Sequence, residues 1–130
     1  MSEPIAVDSN AVIEWFRTGN MEPPPLWNAH HIMVPLPVVG ELYAGAFASL
    51  RRAANLAKVE TFVATYETLH PGAETARLYG RLRAHLQLQN IRQSKSNDVW
   101  IAALAIQHSL PLLTNDRGFD IFPELRTIHW

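Results

Sequence analysis

Short apolar runs that alternate with helical patterns constrain the fold of this 130-residue chain more than any other feature. Apolar runs bounded by turn residues predict strands over 4–8, 32–34, 66–70, 112–114 and 126–130. Apolar residues at helical spacing predict helices over 9–16, 37–48, 50–65, 73–90 and 97–109, with a weaker one over 25–30. Strands that alternate with helices imply an α/β fold with a mainly parallel sheet and helices on both faces. The length suggests one domain covering 1–130.

Composition excludes several kinds of site. The chain has no cysteine, so it forms neither a disulfide nor a thiolate metal site. No pair of histidines has the spacing of a zinc site on one helix, and there is neither a G-x-S-x-G elbow nor a glycine-rich phosphate loop. No apolar run is long enough to span a membrane, and the first residues lack the basic region of a signal peptide. We therefore expect a cytoplasmic protein.

Four acidic residues lie next to apolar segments that should be core. Asp8 and Asp116 follow predicted strands, Asp98 begins a predicted buried helix, and Glu41 lies one turn into a helix after a strand. Ligands in parallel α/β folds bind beyond the carboxyl ends of the strands, so these four side chains can meet at one rim. Converging carboxylates repel one another, and their usual partner is a hard divalent cation.

Each acid alone also has a structural explanation. Asp8 fits a helix cap, Asp98 a first-turn acid favoured by the helix dipole, and Asp116 a turn residue. Glu41 is harder to explain in this way, because a glutamate among valine, glycine, leucine and tyrosine needs a partner.

Four short blocks of sequence resemble a known family. They are Val7-Asp8-Ser9-Asn10, Val39-Gly40-Glu41-Leu42, Asn97-Asp98-Val99-Trp100 and Leu113-Thr114-Asn115-Asp116-Arg117-Gly118-Phe119. In order and rough spacing they are similar to PIN-domain ribonucleases, specifically the VapC toxins of bacterial VapBC toxin–antitoxin modules. The resemblance implies a PIN-like three-layer α/β/α sandwich and a metal-dependent endoribonuclease that uses Mg²⁺, with Mn²⁺ as an alternative ion.

The resemblance also implies roles within the site. Asp8 and Asp98 are expected to bind the metal directly, Asp116 to bind a second ion or a metal-bound water, and Glu41 to bind metal or orient water. Further hydrogen bonds to the carboxylates or waters are expected from Ser9, Asn97, Thr114 and Asn115. A strand end and a turn explain Thr114 and Asn115 about equally well.

The segment from Arg77 to Lys95 contains five basic residues and no acid. Such a stretch can contact a nucleic acid backbone even though the net charge is −1. The candidates for contact with RNA are Arg81, Arg83, Arg92, Lys95 and, beside the acids, Arg117. The alternatives are a solvated helix face for the basic stretch and a surface salt bridge for Arg117.

The family implies two protein partners, a VapB-like antitoxin and a second copy of the chain in a homodimer. Residues 38–65 are a candidate surface for these contacts, or else ordinary core. Two other functions remain open, a DNA-directed nuclease and a module that binds RNA or a partner without cutting. The sequence does not name the RNA target.

Overall fold

The central sheet has five strands, all parallel, in the order β3-β2-β1-β4-β5. The computed structural model describes residues 3–92 and 94–130. The strands are β1 Glu3–Val7, β2 His30–Pro35, β3 Glu67–Leu69, β4 Leu112–Leu113 and β5 Thr127–Ile128. Helices lie on both sides of the sheet, which confirms the predicted α/β/α sandwich.

Helices connect the strands. They are α1 Ser9–Thr18, α2 Pro25–Asn28, α3 Leu36–Ala48, α4 Arg52–Thr65, α5 Ala73–Leu88 and α6 Ser96–Gln107, with a short 3-10 helix over Arg117–Ile121. This short helix begins directly after Asp116, whose carboxylate caps it by accepting a hydrogen bond from the Gly118 N–H at 2.8 Å. Among the helices of the described chain, none has the length and apolar character needed to cross a membrane.

β1 lies at the centre of the hydrophobic core. Ile5, Ala6 and Val7 are fully buried, because β1 has a strand on either side and helices cover both faces of the sheet. α6 contributes a second buried run, from Val99 through the residues 101–105. Burial of a valine or isoleucine side chain contributes about 1.5–3 kcal/mol to the stability of the fold. The buried residues of β1 and α6 therefore stabilise the packing of the helices on the sheet.

The strand order reverses beside β1. The chain passes from β1 outward to β2 and β3, then returns to place β4 on the other side of β1. Val7 pairs with Leu113, and the Asp8 N–H donates to the Leu113 carbonyl at 3.0 Å. Asp8 and Thr114 therefore leave adjacent strands at the same edge, which is where ligands bind in open parallel sheets.

The loop between α1 and α2 is held by one tryptophan. The Trp15 indole N–H donates to the carbonyls of Asn20 at 3.1 Å and Glu22 at 2.9 Å. Gly19 ends α1 with a φ of 71°, a conformation that favours glycine. Trp15 also packs edge-on against Trp27 at a centroid distance of 5.1 Å, so the proline-rich segment between them has a defined path.

Candidate functional site

A cavity of about 500 Å³ brings the four predicted acids together. Asp8 reaches it from the end of β1, Glu41 from α3, Asp98 from the first turn of α6, and Asp116 from the segment after β4. Four separate elements thus supply one carboxylate each, and the cavity lies at the edge where the strand order reverses.

Asp8 is only 4% exposed and its carboxylate is held by three donors. The Ser9 N–H donates to Oδ1 at 2.8 Å, the Asn10 amide to Oδ2 at 3.1 Å, and the Thr114 hydroxyl to Oδ2 at 2.9 Å. Burial raises the pKa of Asp8, and the charge of Asp116 adds to the rise, whereas the three hydrogen bonds oppose it. Asp8 also caps α1, which is the structural explanation that its sequence position offered.

Thr114 connects the ends of β1 and β4. Its side chain is fully buried, and its hydroxyl oxygen accepts from the Asp116 N–H at 3.0 Å while it donates to Asp8. One hydroxyl therefore fixes the relative positions of two of the four acids, as expected for a residue that supports the site.

Asn10 is a residue that the sequence reasoning left out of the site. Its amide N–H donates to Asp8 and, at 3.4 Å, to the Thr114 hydroxyl, and its Oδ1 lies 3.5 Å from the Asn115 N–H. Its position could have identified it, because Asn10 lies two residues after Asp8 in the first of the four sequence blocks that resemble the family. Gly118, Ser94 and Ile121 also line the cavity and were not predicted.

Glu41 has the most strongly perturbed environment of the four. Its side chain is half-buried, and its Oε1 is buried without a hydrogen-bond partner among the described residues. Burial raises the pKa of Glu41 to about 7, and the charges of Asp8 and Asp98 contribute to the rise. Lys95 acts in the opposite direction but does not offset these effects.

Asp98 shares this electrostatic environment. Burial raises the pKa of Asp98, the charges of Asp8 and Asp116 raise it further, and Lys95 opposes them. Among the described residues that line the cavity, Lys95 is the only cationic one, so the carboxylates are not neutralised by the protein itself.

Carboxylate oxygens in this number suit a hard divalent cation, and the unpartnered Glu41 oxygen offers a free ligand atom. Within residues 3–92 and 94–130, no three acidic or histidine side chains stand close enough together to hold one ion directly. The site is therefore an open, carboxylate-lined cavity rather than a closed coordination sphere. Mg²⁺ commonly keeps several waters in such sites, so contact through water is compatible with this spacing.

The other predicted polar residues differ in their placement. Ser9 lines the cavity and supplies the N–H that binds Asp8. The Asn115 side chain is exposed, and its N–H faces Asn10. Asn97 is exposed at the start of α6 and does not line the cavity.

The predicted basic residues separate into three groups. Arg81 binds Glu124 through two hydrogen bonds of 2.6 and 3.0 Å, and Arg117 lies 3.8 Å from Asp120. Lys95 lines the carboxylate cavity. Two more, Arg83 and Arg92, line a separate cavity of about 290 Å³.

Comparison with known proteins identifies the family. The PIN-domain family model matches residues 5–125. The chain is 40% identical over 84 residues to ribonuclease VapC5 of Mycobacterium tuberculosis, an alignment that covers 62% of this chain and 61% of that protein. It is 30% identical over 94 residues to ribonuclease VapC2 of Rickettsia felis, covering 72% of this chain and 69% of that one.

A solved structure extends the likeness to the whole chain. A crystal structure of DNA-bound VapBC from Salmonella typhimurium superposes with a TM-score of 0.89 at 27% identity, covering 100% of this chain and 99% of that chain. The sheet order and the acid-lined cavity are consistent with these matches. The chain belongs to the PIN-domain family, in the group related to the VapC ribonucleases.

Proposed function

We propose that this chain is an endoribonuclease that depends on Mg²⁺ or Mn²⁺ and acts as the toxin of a toxin–antitoxin pair. The observation that carries the proposal is the presence of four carboxylates, from Asp8, Glu41, Asp98 and Asp116, in one cavity. Membership of the PIN family and the likeness to ribonucleases VapC5 and VapC2 support RNA as the substrate.

In this proposal the acidic residues of the cavity have different roles in hydrolysis. A divalent cation, when bound, would act as a Lewis acid on the scissile phosphate and lower the pKa of a bound water. Asp8, held by three hydrogen bonds, and Asp98, on the first turn of α6, are the proposed direct ligands. Asp116, oriented by the Gly118 N–H, is the proposed ligand of a second ion or of water.

Glu41 is the proposed proton acceptor. In the metal-free protein burial and the charges of Asp8 and Asp98 raise the pKa of Glu41 to about 7, and a bound cation would lower that pKa, so at neutral pH the loaded site would hold Glu41 as the carboxylate that a general base requires. Its unpartnered oxygen leaves one acceptor free for a water. Within this proposal Thr114 and Asn10 hold Asp8 and Asp116 in place without touching the substrate.

Cleavage of RNA by the purified protein tests the proposal. We expect cleavage with Mg²⁺ or Mn²⁺, none with EDTA, and a loss of at least about 100-fold in Asp98→Asn. Asp120→Asn is the matched control, because Asp120 is the one aspartate outside the cavity and is exposed. Intact RNA in the presence of either ion, or equal activity in Asp98→Asn and Asp120→Asn, contradicts the proposal; parallel incubation with DNA separates the DNA-directed alternative.

The proposal includes a VapB-like antitoxin as a partner, because two similar solved structures at 27% identity are VapBC complexes, and we expect this partner to cover the site. We propose that the antitoxin binds in an apolar groove of about 530 Å³ between α1, α3 and α4, because Glu41 lines both this groove and the carboxylate cavity. We further propose that the chain forms a homodimer and acts in the cytoplasm. Phe47 and Leu50, within the segment 38–65, are 55% and 104% exposed and offer apolar contacts. A monomer mass in gel filtration contradicts the dimer.

A further inference from the structure

A second, smaller cavity lies beside the carboxylate site and is basic. It is lined by Arg83 and Arg92, together with Gln87 from the last turn of α5 and Asn90 just after that helix. Ser94 lines both this cavity and the carboxylate cavity, so the two are adjacent. Lys95, the next residue, lines the carboxylate side.

The two arginines differ from their neighbours in the same basic stretch. Arg81 is occupied by Glu124 in a two-bond ion pair. Within the described chain, neither Arg83 nor Arg92 takes part in an ion pair, and Arg83 is half-buried. An arginine side chain without an acidic partner is free to bind an anion from outside the protein.

The local backbone gives this cavity a defined shape. α5 ends at Leu88, and Asn90, two residues later, has a φ of 58°, while the Ile91 N–H donates to the Leu86 carbonyl at 2.8 Å. This stop directs the chain from α5 towards Arg92 and Ser94. The carboxyl end of a helix carries roughly half a negative charge, which alone would repel a phosphate. Two guanidinium groups supply two full positive charges, so the balance favours an anion.

We propose that this cavity is a phosphate-binding subsite that holds a backbone segment of single-stranded RNA next to the cleaved bond, and that Arg83 and Arg92 are positioning residues. The inference rests on the proposed function, because the subsite matters only for a chain that takes RNA in the adjacent cavity. In this proposal the RNA backbone runs from Arg83 and Arg92 past Ser94 and Lys95 to the four carboxylates. The amides of Gln87 and Asn90 are placed to contact ribose or base edges along this path.

Binding of a fluorescent single-stranded RNA oligonucleotide, measured in the Asp98→Asn background so that no cleavage is needed, tests the subsite. Single strands show a salt slope of about 0.7 per phosphate contact, so loss of two contacts in Arg83→Gln/Arg92→Gln should lower the slope by about 1.4. The same relation gives about 25-fold weaker binding at about 0.1 M salt. Arg77→Gln is the matched control, because Arg77 is exposed on the same helix and does not line the cavity.

Two further results decide the inference. Arg83→Lys/Arg92→Lys should recover the salt slope, because lysine also neutralises phosphate, whereas a merely structural defect would not follow charge. The inference is overturned if the double glutamine variant has the affinity and slope of Arg77→Gln, or if all variants lose affinity equally while their melting temperatures match. Weakened binding in a protein whose parent fails to cleave RNA would support the subsite and reject the proposed catalysis, so the two failures are distinguishable.

Discussion

Replacement of Glu41 by glutamine should stabilise the protein when no metal is present. The environment raises the pKa of Glu41 from 4.5 to about 7, so the folded protein favours the protonated side chain and the unfolded chain does not. Between these two pH values the folded state binds more protons than the unfolded state, and stability therefore falls as the pH rises from about 4.5 to 7. Above about pH 7 the charged Glu41 carboxylate destabilises the folded protein to its full extent.

The size of the effect follows from the pKa. A rise in the pKa of Glu41 from 4.5 to about 7 would lower the free energy of unfolding by roughly 3 kcal/mol if the side chain were completely buried. Glu41 is half-buried, so solvent screening reduces the expected gain of Glu41→Gln to about 1–2 kcal/mol at pH 8. Near pH 4.5 the gain should almost disappear, because the wild-type glutamate is then protonated in the folded protein and half-protonated in the unfolded chain.

Urea denaturation in EDTA, at pH 4.5 and pH 8, measures this difference. Glu60→Gln on α4 is the control, because Glu60 is exposed and its removal changes the net charge equally; its effect should stay within about 0.5 kcal/mol. Added Mg²⁺ should shrink the advantage of Glu41→Gln at pH 8, since a cation supplies the missing partner. A glutamine variant that is no more stable than the wild type at pH 8, or that gains equally at both pH values, would refute the reasoning.

Two further predictions concern Thr114 and Arg81. Thr114→Val should lower the free energy of unfolding by about 1–3 kcal/mol, since it leaves the buried Asp8 carboxylate and the Asp116 N–H each short of a partner, while Thr114→Ser keeps the hydroxyl and most of the stability. Denaturation curves of both variants check this, and equal losses would count against it. Arg81→Gln should cost less than about 1 kcal/mol and leave RNA affinity unchanged, because Arg81 is held in a surface ion pair with Glu124. RNA affinity that falls as far as in the Arg83 and Arg92 variants would show that this pair opens to the substrate.

Much of the fold follows from the sequence. The short apolar run that contains Ile5 and Val7 predicts a buried strand, as found, and its position directly before Asp8 places that acid at a strand end. The alternation of strands and helices then required parallel pairing, which is the pairing found. Periodic apolar residues predict these features well because burial on one or both faces decides them locally.

The contacts between distant segments could not be predicted in the same way. The Arg81–Glu124 pair joins residues 43 apart, and no sequence pattern indicated it. The Thr114–Asp8 hydrogen bond joins residues 106 apart, and only the family resemblance implied that Thr114 would bind a carboxylate. Such partners depend on how the strands and helices pack, which no local pattern encodes. The same limit explains why Asn10 was not predicted as part of the site, although its amide contacts both Asp8 and Thr114.

Calorimetric titration with Mn²⁺ tests the central claim most directly, because it asks whether the four carboxylates form a cation site without reference to any RNA. The wild-type protein should bind Mn²⁺ saturably at pH 7.5, Asp98→Asn should bind at least about 10-fold more weakly, and Asp120→Asn should match the wild type. Binding that is absent from the wild type, or equal in all three proteins, would contradict the assignment of this cavity as a divalent-cation site.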